Sequence, residues 1–167
     1  DKFIQEKQTK FNKENLKLNN FFSDSIQVKW QDIKSSIDPN QVAVEFYKDK
    51  IENWYYALII KSDNSKPILL KLFEENDLIN ALNVKGTTKE KINKIYNLKE
   101  IKIYDLIWSP INEYVKKKDE IVISPDGLLH RVSFPALLAN EPNTIKIVNS
   151  TRSYFKGIFS KQHKSIT

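Results

Sequence analysis

Ser124-Pro125-Asp126-Gly127-Leu128-Leu129-His130-Arg131-Val132-Ser133-Phe134-Pro135-Ala136-Leu137 is the stretch on which the reading of this chain turns. Pro125 fixes one backbone angle, and Gly127 allows the positive φ that a tight turn can require. The turn follows Glu120-Ile121-Val122-Ile123, a compact apolar run that reads as a strand. Leu128 to Phe134 reads as a second short extended segment, and Pro135 to Ala139 as a helical turn. Ile145 to Val148 reads as a final strand. Strands this apolar over a short span are expected inside a sheet, with neighbours on each side.

Working back from that stretch, Leu98 to Val115 carries Ile101, Tyr104, Ile107, Trp108, Ile111, Tyr114 and Val115 at helical spacing. Ser109-Pro110 interrupts it, and Ser109 is expected to cap a second helix that begins with Pro110. Glu74 to Leu82 reads as a helix. Thr87 or Thr88 is an N-cap for another from Lys89 onward. Three strand-like runs precede these helices: Val42 to Tyr47, Trp54 to Lys61 and Ile68 to Phe73. The first alternates with period two. The second is apolar throughout, as in a strand covered on both faces. Their short polar linkers favour antiparallel neighbours. Trp30, Ile33 and Ile37 mark a short helix before them. Residues 1–24 read as a thinly amphipathic helix, residues 25–160 as the α/β body and residues 161–167 as a frayed tail.

Composition removes many chemistries. The chain has 167 residues, no cysteine, three glycines and two histidines, His130 and His163. A thiolate zinc site, a multi-histidine metal site and a glycine-rich phosphate loop are thereby excluded, and no cofactor or metal is expected. No apolar run is long enough to span a membrane, and no signal peptide is legible, so a cytoplasmic location is expected. The net charge of +6 comes from 27 basic residues, of which only Arg131 and Arg152 are arginine. Readers of phosphates and bases favour the arginine fork, so a solvated lysine surface is the expected reading, not a nucleic-acid partner.

The candidate site residues are few. His130 can act as a general base or be tied to a neighbouring carbonyl. No cysteine is present for it to activate, and no Ser-His-Asp order is apparent. Asp126 beside Gly127 is a lone carboxylate on a turn, a poor calcium site and a good turn former. Arg152, in Ser150-Thr151-Arg152-Ser153, can present its fork to a substrate or tie an acidic side chain within the fold, and the tie is the expected role.

The ordered set of segments resembles a known family. Ser124 to Leu137 is similar to the signature of the CHAT domain, the caspase-like domain associated with tetratricopeptide repeats. Trp30-Gln31-Asp32-Ile33 resembles its Trp-containing helix. Val42 to Phe46 and Trp54 to Ile60 resemble its opening hairpin, and Ile103 to Ile111 resembles its long helix. Ser150-Thr151-Arg152-Ser153 resembles its Ser-x-Arg element. The resemblance covers about residues 26–155.

It implies a caspase-like layered sheet with flanking helices, incomplete and N-terminal in the domain, preceded by a helix that ends a helical repeat region. Ser124, Pro125, Asp126, Gly127, His130, Phe134, Ser150 and Arg152 are then structural signature positions. The family's catalytic His-Gly and Ser-Ala-Cys motifs are not in this sequence, and His130 matches a non-catalytic position, so no catalytic residue carries over. The implied partners are the C-terminal half of the same domain, the repeat region, and a protein substrate or activator. Self-association of the isolated chain is also expected. The competing reading is a non-enzymatic module for protein contacts or weak polyanion binding.

Overall fold

The computed structural model describes residues 29–96, 102–115, 118 and 120–155. The helix expected over 1–24 and the tail at 161–167 lie outside the described residues. Helix α1 is Trp30–Ser36. Strands β1 (Gln41–Lys48), β2 (Trp54–Ile60) and β3 (Ile68–Glu74) follow. Then come α2 (Glu75–Leu82), α3 (Thr88–Tyr96), α4 (Lys102–Ile107) and α5 (Ser109–Val115). Strand β4 (Glu120–Ser124) leads through a 3-10 helix, Gly127–Arg131, into α6 (Phe134–Leu137) and β5 (Thr144–Ile147). Residues 151–155 are helical.

The strands form one mixed sheet in the order β3-β2-β1-β4-β5. The pairs β1/β2 and β2/β3 are antiparallel, as the short linkers predict. Strand β4 runs parallel to β1, with Gln41 opposite Glu120 and Glu45 opposite Ser124, and β5 runs parallel to β4. Helices cover both faces. Val42, Val44, Phe46, Tyr55, Ala57, Ile59, Ile121 and Ile123 pack under α2, α4, α5 and α6 around the fully buried Trp108. Ala43, Leu58, Ile60 and Val122 pack on the opposite face against Ile33 and Ile37 at α1, with Phe155 of the 151–155 turn. The result is a layered α/β fold.

Three expectations are corrected. Leu128 to Phe134 is not extended. Its Gly127–Arg131 portion is the 3-10 helix, and Asp126 caps it by accepting the Gly127 N–H at 2.8 Å. Strand β4 sits inside the sheet, but β5 is its last strand, and Ile147 is 44% exposed. The break at Ser109-Pro110 does separate two helices. Ser109 is nevertheless inside α5, and the Trp108 carbonyl accepts from Ile111 and Asn112 N–H at 2.8 and 2.9 Å.

A bulge in β3 bears on the site. Tyr56 pairs with Lys71 and Trp54 with Glu74, so Tyr55 faces both Leu72 and Phe73. The extra residue brings Phe73 onto Tyr55 with ring centroids 5.0 Å apart. Tyr55 is thereby fixed with its hydroxyl at the end of the sheet where the Ser124–Gly127 turn lies.

Candidate functional site

The carboxyl ends of the parallel strands β1 and β4 gather the polar residues. In open α/β sheets this is the end where ligands bind. Two chain segments cross it, and each is tied to β1.

The first is the turn after β4. Asp126 accepts the Lys48 N–H at 2.9 Å and the Gly127 N–H at 2.8 Å, so one carboxylate joins β1 to the turn. Leu128 N–H donates to the Tyr55 hydroxyl at 2.9 Å. Burial pushes the Tyr55 hydroxyl above its ordinary value against that N–H, and the charges of Glu75 and Asp126 add to the rise. Gly127 has φ +55, and a Cβ there would lie 2.6 Å from the Tyr55 hydroxyl oxygen. Lys48 Nζ, on the same strand end, pairs with Glu75 at 2.5 Å.

The second segment follows β5. The Ser124 hydroxyl, buried, donates to the Asn149 carbonyl at 3.2 Å. Glu45, 6% exposed, accepts the Thr151 hydroxyl. Arg152 Nη2 stands 3.7 Å from Glu45 Oε1. Burial raises the Glu45 carboxyl above its ordinary value, the Thr151 hydroxyl and the Arg152 guanidinium oppose the rise, and the Asp126 charge reinforces it. Ser150 leads into the 151–155 turn, where its carbonyl accepts the Tyr154 N–H at 3.1 Å.

The signature residues therefore separate into groups. Ser124, Asp126, Gly127, Ser150 and Arg152 converge at the strand ends. Pro125 is buried beside them. Phe134 is core, with its ring 5.6 Å from Phe46. His130 is exposed on the 3-10 helix and is not tied to this cluster by any described contact. Glu45, Lys48, Tyr55 and Thr151 complete the arrangement and were not singled out from sequence. Glu45 did carry a signal, as the one charged residue inside the apolar run Val42–Phe46. Among the described residues no group of three His, Asp or Glu side chains is placed to hold a metal ion. No helix among them is long and apolar enough to cross a membrane.

No protein-family model matches this sequence, and no curated protein matches it.

Proposed function

We propose that this chain is the N-terminal, substrate-side scaffold of a CHAT-type, caspase-like cysteine peptidase domain. In that reading it works in the cytoplasm, and its catalytic histidine and cysteine come from the C-terminal half of the same domain. One observation carries the reading. The two segments of the resemblance richest in polar signature residues, the Ser-Pro-Asp-Gly turn and the Ser-x-Arg element, meet at the carboxyl ends of β1 and β4. A residue outside the chain that supplies a nucleophile there would find a framed site. The β5 edge supports the same reading. It carries the half-exposed Ile147 and lacks a further strand among the described residues, so an added strand would extend the sheet there.

The chain alone is expected to hydrolyse no peptide, since it holds no cysteine. A longer product of the same reading frame is expected to carry His-Gly and cysteine motifs, to cleave peptides, and to lose that activity on substitution of the cysteine. It is also expected to melt higher than the chain alone, and the chain alone is expected to self-associate through its open edge in analytical ultracentrifugation. A reading frame without those motifs, or a chain that is monomeric and melts as high as the longer product, favours the non-enzymatic interaction module instead.

A further inference from the structure

Helix α3 has no buried residue, yet its sequence is amphipathic. At roughly 100° per residue, Thr88, Ile92, Ile95 and Tyr96 share one face. Lys89 and Lys91 flank that face, and Glu90, Asn93 and Lys94 lie behind it. Ile95 and Tyr96 rest partly on the core, and the Tyr96 hydroxyl accepts the Ser133 N–H at 2.7 Å. Ile92 does not share that burial and is 52% exposed. The helix is therefore anchored by its last turn, while Thr88 and Ile92, earlier on the same face, are exposed among the described residues. On α2, Ile79 is similarly exposed although its neighbour Leu78 is fully buried.

The charge around Ile92 is one-sided. Lys85, Lys89, Lys91 and Lys94 lie on this short segment, against a single acid, Glu90. That carboxylate is turned into the helix cap, where it accepts the Thr87 N–H at 2.8 Å and the Thr87 hydroxyl at 3.0 Å. Lys94 Nζ reaches back to the Lys85 carbonyl at 3.4 Å. The two lysines beside the apolar face have no acidic neighbour on their own helix that is not already engaged.

We infer that the Ile92 face of α3 docks an acidic amphipathic segment of a partner protein. An apolar side chain of the partner meets Ile92, and its carboxylates meet Lys89 and Lys91. A lipid surface fits less well. Interfacial helices sink a broad apolar face into the headgroup region, and here Ile95 and Tyr96 are already committed to the core. Nucleic acid fits less well too, because α3 has no arginine and its one aromatic ring is half-buried. The inference stands independently of the peptidase reading.

The test uses the full, isotope-labelled chain. It is titrated with a synthetic helical peptide bearing a leucine stripe flanked by glutamates, and with a lysine-flanked counterpart. Phosphatidylserine–phosphatidylcholine vesicles and single-stranded oligo-dT are run in parallel. The glutamate peptide is expected to shift the amide resonances of α3, and the lysine peptide to leave them in place. Ile92→Asp is expected to weaken binding roughly tenfold or more with the melting temperature unchanged. The double variant Lys89→Glu, Lys91→Glu is expected to reverse the preference between the peptides. Absence of shifts at α3, or affinity that survives Ile92→Asp, overturns the inference. So does binding at α3 by vesicles or oligo-dT alone, which would assign the face to lipid or nucleic acid.

Discussion

Two segments cross the same end of the sheet, and different physics holds them. The turn after β4 is held by backbone geometry, with a positive φ at Gly127 and two main-chain N–H groups on the Asp126 carboxylate. The segment after β5 is held by side chains, through a buried carboxylate that meets a hydroxyl and a guanidinium. The first arrangement is specific because almost any added atom collides. The second is specific because a charge taken out of water must find partners. The turn should therefore be intolerant of an added side-chain atom at Gly127, while the Glu45 cluster should tolerate an isosteric change and respond to pH through its raised carboxyl.

Gly127→Ala should produce the largest effect. Alanine at φ +55 is strained, and its Cβ would stand 2.6 Å from the Tyr55 hydroxyl oxygen. Tyr55 cannot retreat easily, because Phe73 stacks on it and Leu128 N–H holds its hydroxyl. Left-handed strain and overpacking together should cost about 2–4 kcal/mol, or roughly 5–10 °C in melting temperature for a domain of this size. Adding Tyr55→Phe removes the colliding oxygen but not the strain, so it should recover only part of the loss. A thermal melt of both variants checks this. A single variant that melts with the parent would mean that the turn is held by something other than its backbone.

The same contrast explains what could be read from sequence. Ser124-Pro125-Asp126-Gly127 announces its turn because proline and glycine act on their own backbones, and the fitted Gly127 is where the reading placed it. The three strands ahead of the helices and the antiparallel pairing of β1 with β2 and β2 with β3 followed from short-range pattern alone. Glu45 stood out as a charge inside an apolar run, but its role was not legible, because its partner Thr151 lies 106 positions away. Only the parallel placement of β4 beside β1, and the return of the chain over that end, bring the two together. Tyr55 was hidden for a similar reason, since the bulge that aims Phe73 at it appears only once β2 and β3 are in register. The 3-10 helix was misread because Leu128-Leu129-His130-Arg131-Val132 has neither clear helical periodicity nor the length to show one.

Glu45→Gln should have a smaller effect, visible as a change of slope. Burial raises the folded-state carboxyl above its ordinary value of 4.5, so the folded protein binds this proton more tightly than the unfolded chain does. The stabilisation from that proton is complete below the ordinary value and is lost as the pH rises through the raised one. Glutamine keeps an acceptor for Thr151 but has no proton to lose. Melting temperatures measured across mildly acidic to neutral pH should show the variant gaining on the parent as the pH rises, and the difference should then level off. Parallel profiles for the two proteins would place the Glu45 carboxyl at its ordinary value and dissolve the contrast with the turn.

His130→Ala is the smallest expected change and the sharpest check on what the turn is for. The side chain is exposed on the 3-10 helix, and the fold holds this region through Leu129, Val132 and Phe134 in the core. Removing an exposed imidazole without a described tie should shift stability by no more than about 0.5 kcal/mol. If a longer product carries the proposed cysteine and cleaves peptides, the substitution should also leave that cleavage intact, because in the proposed reading His130 is scaffold and the base lies elsewhere. Peptide cleavage by the longer product, assayed with and without this substitution, separates the roles. A variant that melts normally but loses cleavage would move His130 from the framework into the chemistry. The turn after β4 would then be the part of the rim that acts, with the Glu45 cluster as its support.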